Sequence, residues 1–141
     1  MKTISLFKLL AISTCLLWVA VGCGHSSKQS QGIEGHWTGV DLVHPDVKCE
    51  LTITGTNLDF RGIAADDWCR GTFVLNEQAQ PKQMDLMLNE AAPGSVGKLN
   101  LVIYEVQGNK LKIAACQPGS PQRPADFTPT GEIRVLAFTR N

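Results

Sequence analysis

The chain lacks most of what marks a catalytic or nucleic-acid-binding protein. Its 141 residues hold only three histidines and one tyrosine, and thirteen Lys and Arg balance thirteen Asp and Glu. There is no basic stripe, which excludes nucleic acid as a partner. No Gly-x-Ser-x-Gly and no glycine-rich phosphate cradle occur, so neither a hydrolase elbow nor a nucleotide loop is encoded. No apolar run reaches the ~20 residues that a membrane-spanning helix needs. No window carries a clean helical stripe either. What remains is a chain rich in short alternating segments, preceded by one short apolar stretch.

That stretch lies at the start. Lys2 and Lys8 precede a nearly unbroken apolar run, Leu9 to Val21, which closes on Ala20-Val21-Gly22-Cys23. A basic start, a short apolar core and small residues before a cut are the marks of an export signal. With Cys23 just after the cut, the segment resembles a bacterial lipoprotein signal, although Ala20 stands where that signal usually has Leu. The resemblance implies residues 1–22 as a removed peptide, an acylated Cys23 and a flexible polar tether over 23–32. It implies a membrane partner through the lipid anchor and a place in the cell envelope, facing the periplasm. Gly24 in place of Asp after the cysteine points to the outer membrane. A plain secretory signal is the alternative.

Cleavage leaves a chain of 119 residues, enough for one domain with a real core. Lys2 and Lys8 leave with the signal, so eleven Lys and Arg then face thirteen Asp and Glu.

Over 33–141 the pattern is all-β: eight runs of period-two alternation separated by turn residues, at 36–43, 48–54, 57–62, 69–75, 82–88, 98–107, 110–115 and 132–139. Two turns set registers. Gly55-Thr56 pairs Leu51 with Phe60, Ile53 with Leu58 and Glu50 with Arg61. Gly108-Asn109 pairs Val106 with Leu111, Tyr104 with Ile113 and Glu105 with Lys112. In both hairpins apolar meets apolar on one face and opposite charges meet on the other, as a half-buried sheet requires. Eight sequential antiparallel strands with mostly short loops close into an up-and-down barrel, which removes exposed edges; a two-sheet sandwich is the alternative.

The ends of the domain agree with closure. Gly35-His36-Trp37 opens the first strand and Arg140 ends the last. Together with Pro81-Lys82-Gln83-Met84-Asp85-Leu86, with the stretch Ile103 to Ile113, with Cys116 and with Arg123-Pro124-Ala125-Asp126-Phe127, they resemble a small lipocalin-like domain family expanded in planctomycetes. Val102-Ile103-Tyr104 and Gly108-Asn109 depart mildly from that family's Gly-Ile-Tyr and Gly-Asp. The resemblance implies a calycin-type barrel with Arg140 packed across the Trp37 ring as a structural cap. It points to no particular biochemical activity; an enzyme and a cofactor are not expected because the sequence holds no catalytic constellation or cofactor motif.

Candidate sites follow. The registers nominate Leu51, Ile53, Leu58, Phe60, Val102, Tyr104, Val106, Leu111 and Ile113 as inward, and of these Leu51, Ile53, Phe60, Val102, Tyr104, Leu111 and Ile113 as the wall of a site for a small apolar ligand. The same residues would otherwise fill a solid core. In that case the rim loops, such as 62–68 with Trp68, would bind an envelope protein. Metal sites are not expected: His36 and His44 lie ~26 Å apart along one strand, and Asp66-Asp67 lacks the further oxygens that calcium takes. Cys49, Cys69 and Cys116 fall near one rim. The family resemblance places a Cys at 116 but not at the other two positions, which suggests a Cys49–Cys69 bridge; the intervening strand stands against it, and Cys69–Cys116 is the other pairing. The segment 117–130 is a candidate lid over the rim.

Overall fold

A computed structural model describes residues 32–141. The expected signal peptide, Cys23 and the expected tether before Gly32 lie outside the described residues.

Eight strands form one closed antiparallel barrel in chain order: β1 Gly35–Asp41, β2 Lys48–Thr54, β3 Asn57–Arg61, β4 Trp68–Asn76, β5 Lys82–Ala91, β6 Leu99–Gln107, β7 Lys110–Ala115 and β8 Arg134–Arg140. The described residues contain no helix. Every strand pairs with its neighbour in sequence, and β8 returns to β1, pairing Trp37 with Arg140 and Asp41 with Leu136. The sandwich alternative is thereby excluded. Both hairpin registers are those the turns dictate: Leu51 opposite Phe60, and Val106 opposite Leu111.

The ends of strands differ from expectation where the alternation gives no stop. β1 halts at Asp41, and Leu42 and Val43 turn out into solvent at 41% and 51% exposure. β4 begins one residue early, at Trp68, and β8 starts two later, at Arg134. β5 runs on to Ala91 because a bulge opposite Arg70 and Gly71 takes up Asn89. A bulge inserts one residue and resets which side chains face inward. Here it turns Ala91 onto the core beside Cys69.

The barrel has two unlike ends. At one end Trp37 is 1% exposed and its indole N–H donates to the Ile33 carbonyl at 2.9 Å. The Arg140 guanidinium lies 4.4 Å above the ring and donates to the Gly32 carbonyl at 2.8 Å. Ile33, Ile53, Leu75, Tyr104 and Leu111 pack into the same cluster. The chain also enters the barrel at this end, so residue 32 lies there. The β1–β2, β3–β4, β5–β6 and β7–β8 connections lie at the other end.

Midway along β1, Gly39 makes room for the Phe138 ring. A Cβ on Gly39 would sit 2.4 Å from the Ala137 carbonyl oxygen and 2.5 Å from Phe138 Cδ1. The first of these is backbone and cannot swing aside. Gly39→Ala is expected to lower stability by about 2–3 kcal/mol, the upper range for overpacking. A urea melt checks it; an unchanged midpoint would mean that β1 and β8 are not this close.

The segment 117–130 does not lie over the rim as a lid. Beyond Gln117 and Pro118 it runs down the outer wall. Ile103, Ala114 and Val135 sit side by side on the outer face of β6, β7 and β8. They are nonetheless at most 1% exposed, because Phe127 and Ile133 cover them. Arg123 fastens the strap, donating to the Met84 and Val102 carbonyls at 3.2 and 2.6 Å and pairing with Asp85. An outward apolar trio needs a cover, and the strap supplies it.

Candidate functional site

The second end of the barrel is hollow. A cavity of about 530 Å³ opens between the β3–β4, β5–β6 and β7–β8 connections. Its floor and walls are Leu51, Leu58, Phe60, Met84, Leu86, Val102, Ile113, Leu136 and Phe138. The volume lies within the ~300–1,000 Å³ of small-molecule sites. It exists because the inward positions near this end are small. Ala91, Ala115, Cys69 and Cys116 line it, whereas Trp37 and Tyr104 occupy the corresponding depth at the closed end.

Of the residues nominated as a ligand wall, Leu51, Phe60, Val102 and Ile113 line the cavity. Ile53, Tyr104 and Leu111 do not, which corrects their assignment. They face inward but fill the closed half, at 1% exposure each. Burial there pushes the Tyr104 phenol up to about 12, with Glu77 adding to the shift. Sequence reading missed Met84, Leu86, Leu88, Leu136 and Phe138, although all sit at alternate positions of their strands. Without a tight turn beside them, β5 and β8 offered no register by which to orient them.

The mouth is braced by charge. Arg134 Nε donates to Asp41 Oδ2 at 2.8 Å, and Nη1 and Nη2 clasp both oxygens of Asp67 at 2.7 and 2.9 Å. Its guanidinium also lies 5.5 Å from the Phe60 ring centre. Asp41 is 6% exposed. Burial pushes its carboxyl up, but the Val43 N–H and Arg134 outweigh that and hold it below its usual value. The bidentate grip on Asp67 is the leading cause that raises the Arg134 pKa, so this cation does not titrate. Asp67 is itself set by its loop: Gly62 N–H donates to the Asp67 carbonyl at 2.6 Å, and Asp67 N–H to Ala64 at 3.0 Å. Asp67 is thus a partner of Arg134. Among the described residues no group of three or more His, Cys, Asp or Glu gathers as metal ligands.

The expected Cys49–Cys69 bridge is not formed; Cys49, Cys69 and Cys116 are all free thiols. β3 lies between β2 and β4. Two strand spacings come to ~9.6 Å, beyond the ~7 Å that Cα atoms of a disulfide allow. Register adds to the gap, since Cys69 lies opposite Phe60 while Cys49 lies beyond the last β2–β3 pair, Glu50 with Arg61. Burial pushes the thiols of both Cys49 and Cys69 up to about 11. Such thiols are poor nucleophiles at neutral pH. Trp68, expected to be free on the rim, is half-buried, with Arg61 5.3 Å from its ring centre.

Exposed apolar side chains gather round this end. Leu42, Val43, Ile63 and Val96 stand on three rim loops at 41 to 63% exposure. No family model, no curated protein and no solved structure matches the chain. The site's own geometry therefore carries the functional argument.

Proposed function

We propose that this chain is a binding protein rather than an enzyme: a lipocalin-like calyx that holds a small apolar molecule and is tethered to the cell envelope through Cys23. The carrying observation is the apolar cavity of about 530 Å³, open at one end and stoppered at the other. Apolar burial supplies affinity without specific chemistry, ~25 cal/mol per Å² before the costs of association. The stopper supports the tethered arrangement. The chain enters beside Trp37 and Arg140, at the end opposite the mouth, so an anchor there leaves the mouth uncovered.

The test is Nile red fluorescence together with native mass spectrometry of the purified domain. Wild type is expected to shift the dye's emission to the blue and to carry or take up one apolar molecule. Leu136→Trp, which fills the cavity from β8, is expected to weaken dye binding at least about tenfold, a cost of ~1.4 kcal/mol. A wild-type protein that leaves the dye's emission at its aqueous position would overturn the proposal.

A second reading draws on the apolar rim: Leu42, Val43, Ile63 and Val96 would seat an envelope protein. It predicts that Ile63→Ser with Val96→Ser removes partner association while dye binding persists.

A further inference from the structure

Among the described residues three buried side-chain atoms have no hydrogen-bond partner, Asn100 Oδ1, Tyr104 Oη and Arg140 Nε, and only Asn100 lines the cavity. Asn100 stands on β6, two residues before Val102 and four before Tyr104, and so shares their inward face. It lies opposite Leu86 and lines the cavity. Its Oδ1 is buried and has no hydrogen-bond partner. The charged groups Asp41, Asp67 and Arg134 at this end behave differently and satisfy one another. A buried acceptor without a donor is costly, and native structures keep few of them. A leucine at 100 would cost nothing of the kind.

We infer that Asn100 is the specificity-determining residue of the cavity, and that the ligand is a neutral amphiphile bearing a hydroxyl or N–H donor on an apolar body. The inference rests on the reading of the cavity as a ligand site. The donor completes Oδ1. The apolar body lies against Leu86, Val102 and Phe138. The charge at the mouth excludes the commonest alternative amphiphile, a fatty carboxylate. The charged residues lining the cavity are Asp66, Asp67 and Arg134, and Asp41 and Asp67 take three of the five Arg134 N–H donors. A carboxylate brings no donor to Oδ1 and meets a surplus of its own sign. An ester is neutral but likewise accepts only. A site built to bond a hydroxyl rejects analogues that lack one, because its own polar atom is then left bare.

Three probes of equal chain length separate these terms: decanol, methyl decanoate and sodium decanoate, each titrated calorimetrically into the domain. Wild type is expected to bind decanol about fivefold to tenfold more tightly than methyl decanoate, the worth of one buried hydrogen bond. Decanoate should bind weakest, and its deficit should shrink in high salt. Asn100→Leu is expected to abolish the preference for decanol while still binding methyl decanoate, and circular dichroism shows whether the variant is folded. Equal affinity of wild type for decanol and methyl decanoate overturns the inference and leaves the cavity reading standing. So does a preference for decanoate, or a preference for decanol that survives in Asn100→Leu. If none of the three binds and Nile red is also refused, the cavity reading fails and takes the inference with it.

Discussion

Trp37→Ala is expected to cost the barrel about 4–5 kcal/mol, at the top of the range for removing a large buried aromatic. Among the described residues Trp37 is the largest fully buried side chain, at 1% exposure. Three losses combine. The indole leaves a hole at the closed end that Ile33, Ile53 and Leu111 cannot collapse to fill. The Ile33 carbonyl loses its 2.9 Å donor. Arg140 loses the ring face 4.4 Å away, and its buried Nε has no other partner. A cation over an aromatic face is itself worth ~0.5–2 kcal/mol. For a domain of ordinary stability, ~5–15 kcal/mol, the variant sits near the edge of unfolding. Its melting temperature should fall by about 15 °C. A double-mutant cycle with Arg140→Met isolates the ring–cation part, with an expected coupling of about 1 kcal/mol. If Trp37→Ala melts within a few degrees of wild type, the closed end is not held by this stopper.

The closed half of the barrel was largely legible in the sequence because it is built from local signals. Gly55-Thr56 and Gly108-Asn109 each set a register, and each register sorts a strand pair into an inner and an outer face. Gly35 supports the same end: its φ of 133° is one that other residues rarely adopt, and it lets the chain turn into β1 beside the Arg140 side chain. The hollow half was not legible. Alternation says that Leu51 and Phe60 point inward, but whether inward side chains meet depends on their summed volume across eight strands. The small residues at Ala91 and Ala115 matter only once the bulge at Asn89 and the full register are known. Asn100 carried a usable signal, since it falls two residues before Val102 on a face that the hairpin had already marked as inner. Arg134 and Asp67 did not: they are far apart in sequence and meet only because the barrel closes. The strap follows the same logic. Ile103, Ala114 and Val135 form an outer apolar patch only when three strands are set side by side.

Arg134→Met is the second large effect, and its dependence on pH is more diagnostic than its size. The substitution leaves the Asp41 carboxylate, 6% exposed, without its cation. Breaking a buried pair from one side costs ~3–5 kcal/mol. The Arg134 side chain is 38% exposed, so water softens the loss, and about 2–3 kcal/mol is expected near pH 7. In wild type the Asp41 carboxyl titrates below its ordinary value of 3.8. Its stabilising contribution is therefore present above pH 3.8 and drains away as pH falls through the lower, folded value. Arg134→Met moves the folded value upward. Burial, the largest influence on Asp41, then acts with only the Val43 and His44 backbone groups against it. The folded carboxyl titrates higher than in wild type, and its protonation relieves a buried charge. The deficit of the variant should accordingly shrink as pH is lowered from 7 towards 4, while wild type holds its stability over the same range. Adding Asp41→Asn removes the stranded charge and should recover most of the loss at pH 7, since a buried pair replaced on both sides is often close to neutral. Urea melts of the three proteins at pH 7 and pH 4.5 decide it. A deficit that stays constant across that interval would mean that Arg134 braces the mouth through packing on Phe60, 5.5 Å away, and that the charge of Asp41 contributes little.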